Sequence, residues 1–129
     1  MSDVQNPSWV AQVQNQSRLS FGLAVTHMAS ADASVVAISA DTLDLIGLRE
    51  MMDASPDRVI EAGIAEQNAM GIASGLATTG MRPHVCGYAP FITARSMEQL
   101  RNDVAYANQR VVIGAACSGI TLGVSGGTH

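Results

Sequence analysis

Four short runs that are apolar along almost their whole length, separated by stretches with helical spacing, constrain this chain more than anything else in it. They lie at 34–38, 58–62, 83–88 and 111–116. A strand with one wet face alternates apolar and polar residues; these runs do not, so they are expected to be covered on both faces. The stretches between them are helical in pattern. Leu19, Leu23, Phe21, Val25 and Met28 predict an amphipathic helix over 13–28, and Ala69, Ile72, Ala73, Leu76 and Ala77 predict one over 66–79, stopped by Gly80. Met97, Leu100 and Val104 mark the inner side of a helix over 92–107. Residues 43–50 are weakly helical, while 29–33 and 51–57 read as loops. Strands alternating with helices predict an α/β three-layer sandwich, a mostly parallel sheet with right-handed crossovers.

Composition narrows the function. The 129 residues suit one domain; 47% are hydrophobic and 14% charged, enough to build a core. Residues 1–12 form a polar lead-in, with Trp9 as its candidate anchor, and 13–129 form the domain. A net charge of −4 and no basic run argue against a nucleic-acid partner. Cys86 and Cys117 lack metal-ligand spacing and read as reduced thiols, so no metal ligands are assigned. No apolar run is long enough to span a membrane, and the first twenty residues lack a signal-peptide core. The expectation is a cytoplasmic protein.

The stretch Gly63-Ile64-Ala65-Glu66-Gln67-Asn68 marks where the second strand hands over to the long helix. In open parallel sheets ligands bind at the carboxyl ends of strands, which places Glu66 at such a site. Gly71 and Gly75 lie one turn apart, each costing about 1 kcal/mol of helix propensity relative to alanine. Close approach of another helix would offset that cost.

These residues resemble the transketolase family. The likeness is carried by Pro56-Asp57-Arg58-Val59-Ile60-Glu61-Ala62-Gly63-Ile64-Ala65-Glu66-Gln67-Asn68, by Gly75-Leu76-Ala77 and Gly80-Met81-Arg82-Pro83, and by Tyr88-Ala89-Pro90-Phe91. It continues in Arg95-Ser96-Met97-Glu98-Gln99-Leu100-Arg101 and in the terminal Gly126-Gly127-Thr128-His129. It runs from about Arg18 to the end and covers the pyrimidine-binding domain of thiamine-diphosphate enzymes. The family's domain continues further, so the chain is expected to be truncated, a fragment or one covered by a partner.

The resemblance implies roles. Glu66 corresponds to the glutamate that bonds a ring nitrogen of the cofactor's aminopyrimidine, favouring the imino tautomer that serves as an internal base. Shielding by Ile64, Ala65 and Met70 would keep water from that carboxyl. Taken by itself, Glu66 reads as an ordinary first-turn glutamate stabilising the helix dipole. Phe91 matches the aromatic that stacks on the pyrimidine; Tyr88 lies beside it, with core packing nearly as good a reading. His129 matches a histidine that meets the sugar near the cofactor. Arg18 is similar to an arginine that reaches a substrate phosphate, although a lone surface arginine is the simpler reading. Asp41 matches a position near the site and reads equally as a helix N-cap. Ser125 and Cys117 stand where the family usually has an acidic residue and often a histidine, which puts ordinary ketose-phosphate specificity in question. His27 and His84 are assigned structural roles.

The family's Gly-Asp-Gly stretch, which holds the diphosphate through magnesium, does not occur here. The implied protein is the C-terminal section of a split transketolase. It would act with an N-terminal-section subunit, thiamine diphosphate and Mg2+ held mainly by that partner, as a homo-dimer or heterotetramer. The implied reaction is transfer of a two-carbon ketol unit between sugar phosphates. Deoxyxylulose-phosphate synthase is a close alternative, but its spacing from the phenylalanine to the next helix's glutamine is usually one residue shorter, so Gln99 favours transketolase. The beta chain of a dehydrogenase shares the Gly-Ile-x-Glu segment and fits Gly127-Thr128-His129 poorly. A non-catalytic assembly subunit is the alternative from another class.

Overall fold

In the computed structural model, residues 17–119 and 123–129 are described. The lead-in with Trp9 and the expected start of the first helix lie outside them.

Four parallel strands form one sheet: β1 (Val35–Ser39), β2 (Val59–Glu61), β3 (Arg82–Tyr88) and β4 (Val112–Ala116), in the order β2-β1-β3-β4. Val35 and Val36 oppose Arg82 and Pro83, Ile38 opposes both Ile60 and Val85, and Val85 opposes Ile113. The chain leaves β1 in one direction to reach β2, then passes back over β1 to reach β3. Right-handed crossovers must therefore switch faces between the two steps. The core divides accordingly. On one face, α1 (Ser20–Ala31) and α2 (Arg49–Ala54) bury Val25, Ala29 and Met51 against Val35, Ala37 and Cys86. On the other, α3 (Glu66–Thr78) and a later helical segment bury Ala69, Met70, Ala73, Ile92 and Val104 against Ile38 and Val85. Each fully buried side chain of the size of Ile38 or Met70 contributes roughly 1.5–3 kcal/mol.

The expected α/β sandwich is the observed one, with local departures. The first helix continues to Ala31, and Asp32 N–H closes it on the Met28 carbonyl. Residues 43–50 are not a helix from Leu43: Gly47 takes a left-handed φ of +80°, and the Leu48 amide turns back to the Leu43 carbonyl. Helix α2 starts only after this turn and occupies part of the expected 51–57 loop, because Met51 belongs to the core. The expected helix over 92–107 is a composite, α4, with wide π-type runs Phe91–Arg95 and Leu100–Tyr106 around a short α turn Met97–Gln99. The buried Ser96 side chain bonds the Ile92 carbonyl at the first junction. Strand β4 is an edge strand among the described residues, and Val112 is exposed rather than covered on both faces. Its Gly114 lies under the Phe21 ring, where a Cβ would come within 2.7 Å. Among the described residues no neighbouring helix fills Gly71 and Gly75: a Cβ on either would meet nothing within 4 Å there.

Candidate active site

The reversal of direction at β1 puts a switch point between the carboxyl ends of β1 and β3, the place where open α/β sheets bind ligands. Three connections meet there. Ala40 N–H follows β1 and bonds the Cys86 carbonyl of β3 at 3.3 Å. Glu61, at the end of β2, accepts the Asp41 amide at 2.6 Å and the Gly63 amide at 3.2 Å through one carboxylate oxygen. That oxygen ties the ends of β1 and β2 together. Gly63 then turns with φ +72°, a left-handed value costly for any residue with a Cβ. Ala65 stays outside helical geometry, with φ −149° and ψ 67°, and Glu66 opens α3.

This succession of turns aims Glu66 inward. The residue is 3% exposed, unusual for a first-turn glutamate. The expected shield is only partly present: Met70 is fully buried one turn on, but Ile64 is 76% exposed because the Gly63 turn throws it outward. The carboxylate instead has a cation. Arg95 Nη1 donates to Glu66 Oε2 at 2.6 Å, with the arginine side chain 46% exposed. No sequence pattern singles out Arg95 for this role. Its one local signal is that it stands four residues after Phe91, and its guanidinium carbon lies 4.4 Å from the Phe91 ring centroid.

Phe91 is the centre of an aromatic cluster. Its ring is 4.9 Å from His129 and 6.2 Å from Tyr88, and Tyr88 is 5.5 Å from His129, all edge-to-face. Such pairs contribute about 0.5–1.5 kcal/mol beyond burial. His129 Nδ1 is 2.9 Å from Thr128 Oγ1. The histidine also borders a depression of about 310 Å³ shared with Pro90, Thr93, Cys117 and Ser118. Cys117, in a left-handed conformation with φ +58°, thus lines the same depression as His129.

Glu66, Phe91, Tyr88 and His129 are thus brought together, joined by Arg95. Among the described residues Asp41 shares no hydrogen bond or ion pair with this cluster. It lies at the switch point, exposed, with φ +57° and its amide held by Glu61. It caps no helix, since α2 begins at Arg49 and the Thr42 amide is taken by Ser39 Oγ at 3.0 Å. Arg18 is exposed in the 3-10 turn Ser17–Leu19, whose Leu19 abuts Gly47 on the α1–α2 face. The structure does not bring it to Phe91. Ser125 is exposed in the 3-10 segment Gly123–Thr128. His84 is buried at the other end of the sheet, with Nδ1 3.0 Å from the Arg82 carbonyl, and burial holds its pKa below the usual histidine value. His27 is exposed on α1. Among the described residues no group of three His, Cys, Asp or Glu could hold a metal ion, and no helix is long and apolar enough to cross a membrane.

Fold and site together define an open parallel α/β domain with a buried acid and an aromatic cluster at its carboxyl edge. The pattern of the family described as transketolase, pyrimidine binding domain, matches residues 14–129, and the chain belongs to that family. It is 38% identical to one of the subunits of the apulose-4-phosphate transketolase of Phocaeicola vulgatus, over 87% of this chain and 36% of that protein. It is 37% identical to a 1-deoxy-D-xylulose-5-phosphate synthase of a Streptomyces strain over 100% of this chain and 19% of that one. A solved structure described as a split gene transketolase, inactive beta4 tetramer, superposes with a TM-score of 0.67 at 34% identity, over 74% of this chain and 32% of the other. The chain therefore spans about a third or less of the length of the proteins it matches.

Proposed function

We propose that this chain supplies the pyrimidine-binding half of a thiamine-diphosphate site in a transketolase-like enzyme. An N-terminal-section subunit completes the site with the diphosphate and Mg2+ ligands, and the assembly moves a two-carbon ketol unit between sugar phosphates. The observation that carries this reading is Glu66: a carboxylate 3% exposed, at the switch point of a parallel sheet, linked through Arg95 to Phe91.

The residues fit the group. A buried carboxylate needs a hydrogen-bond donor, and the ring N–H of the cofactor's imino tautomer would supply one. Phe91 presents an apolar face for the ring to lie against. Bound there, thiamine diphosphate supplies a thiazolium carbon acidic enough, with help, to carry a two-carbon unit. The help comes from this chain. Glu66 holds a proton at the pyrimidine ring nitrogen, and burial keeps that exchange away from water. Phe91 and Tyr88 orient the ring. His129 sits on the same aromatic cluster and beside the depression with Cys117, where its imidazole can bond a substrate hydroxyl or a developing negative charge. Arg18 and Asp41 are proposed contacts for the sugar phosphate and the cofactor at the rim. Reaching them requires the partner subunit to close the edge, and the inactive β-only tetramer named in the structural match supports that need. A homo-dimer of such half-sites, or a heterotetramer with the partner, is the proposed assembly, in the cytoplasm.

The test mixes this chain with an N-terminal-section subunit, thiamine diphosphate and Mg2+, and measures ketol transfer. The Glu66→Gln variant should reduce it by roughly 10²–10⁴-fold, the usual worth of a positioned acid or base. Equal rates would make the chain an assembly subunit. A second reading has its own support: the synthase match covers the whole chain at 37% identity. Formation of 1-deoxy-D-xylulose 5-phosphate in place of ketol transfer would select it.

A further inference from the structure

We propose that Arg95 is a displaceable placeholder for the cofactor's aminopyrimidine, keeping the slot formed and closed until the cofactor enters. The proposal rests on the reading of Glu66 and Phe91 given above. It goes beyond that reading by assigning a role to a residue on neither side of the proposed chemistry.

The two groups make matching contacts. In the imino tautomer the cofactor's pyrimidine is a flat, delocalised ring expected to do two things: donate its ring N–H to Glu66 and lie against Phe91. The Arg95 guanidinium is also flat and delocalised, and it does both. Nη1 donates to Glu66 Oε2 at 2.6 Å, and Cζ lies over the Phe91 ring, 4.4 Å from the centroid. Guanidinium is suited to such a site because it is weakly hydrated and stacks on aromatic faces. A more strongly hydrated ammonium would fit it less well.

Two further features favour a placeholder over a permanent brace. Glu66 is almost fully buried, so without a partner its charge would be left uncompensated at high cost. Something must hold it while the cofactor is absent. Arg95, in contrast, is nearly half exposed and lies at the end of the π-type run Phe91–Arg95. At Ser96 the backbone leaves helical geometry, with φ −100° and ψ 19°. The guanidinium can therefore return to water without unpacking the core. The exposed guanidinium regains its hydration on leaving, so a ligand that takes over the bond to Glu66 can displace it. The buried acid stays where it is, and only the arginine moves.

The experiment measures binding of thiamine diphosphate with Mg2+ to this chain assembled with an N-terminal-section subunit. Arg95→Met keeps the stem and removes the competing donor, and should bind the cofactor roughly two- to fivefold tighter, the range set by a half-exposed ion pair. Unchanged or weaker binding overturns the proposal. Glu66→Gln tells the two failures apart. If it binds as well as the parent, the reading of Glu66 fails and the placeholder with it. If it binds more weakly while Arg95→Met shows no gain, only the placeholder fails. A second measurement needs no variant: nitrogen NMR of the arginine side chains in the unsubstituted chain. Arg95 should show hindered guanidinium rotation before the cofactor is added and free rotation at saturation. Hindered rotation that persists at saturation overturns the proposal.

Discussion

The two ends of the sheet hold nearly the same ion pair and use it differently. At the amino end, Arg82 Nη1 meets Asp32 Oδ2 at 2.6 Å; at the carboxyl end, Arg95 Nη1 meets Glu66 Oε2 at 2.6 Å. The arginines are alike, with side chains 53% and 46% exposed. The acids are not: the Asp32 side chain is 37% exposed and that of Glu66 only 4%. Asp32 is also satisfied locally, accepting the Ser34 amide at 2.8 Å and the Ser34 hydroxyl at 2.6 Å. Those two bonds, more than Arg82, hold its pKa down to about 2. Arg58 braces the same corner by donating to the Ala29 carbonyl at 2.8 Å. The amino-end pair is a staple for the turn between α1 and β1. The carboxyl-end pair joins a buried acid to a cation that water can take back. Burial of the acid, not the geometry of the pair, is what sets the two ends apart.

Substitutions at the two ends sharpen this contrast. The largest effect is expected from Glu66→Gln, a loss of roughly 10²–10⁴-fold in turnover of the assembled enzyme with little change in melting temperature. A variant that unfolds instead would make Glu66 a structural acid like Asp32. Next is Gly63→Ala. The left-handed φ of +72° at Gly63 makes any Cβ strained, at roughly 1–2 kcal/mol, and the turn it shapes also aims Glu66. Denaturant unfolding should show that loss, and cofactor affinity should fall with it. Unchanged affinity would mean that α3 aims the acid without the turn.

Phe91→Ala should weaken cofactor binding by about 0.5–1.5 kcal/mol beyond the area lost, read by titration of the assembled protein. No change would remove Phe91 from the slot. The smallest effect is expected from Asp32→Asn. The folded pKa of about 2 lies below the unfolded value of 3.8, so this carboxylate stabilises the fold above the unfolded pKa. That contribution fades as the pH falls from about 4 towards 2. The variant should flatten this acid limb of the stability curve and leave turnover at neutral pH unchanged. An acid limb as steep as the parent's would place the titrating group elsewhere.

The same contrast explains what was legible in the chain. Strands 34–38 and 83–88 could be read because their neighbours are apolar on both sides, and β1 is buried at every position. Glu66 could be placed because Gly63 and the small-residue helix bracket it locally. Residues 43–50 misled because the core residues Leu43 and Ile46 stand three apart, as on one helix face, while Gly47 breaks the turn. The open face at Gly71 and Gly75 misled in the other direction, since the closeness expected there has no counterpart among the described residues.

Periodicity, turn residues and the handover at Gly63 depend on neighbours along the chain. Local pattern was therefore enough for the parallel α/β class, the position of Glu66 at a strand-to-helix switch and the aromatic segment around Phe91. Strand order and register lie outside any local window. They alone decided that Arg95 reaches Glu66 across 29 residues, that Glu61 joins the Asp41 amide across 20, and that the turn holding Arg18 packs its Leu19 on Gly47. Those contacts exist because the chain reverses direction at β1, an arrangement chosen by the packing of two cores rather than by any single stretch of residues.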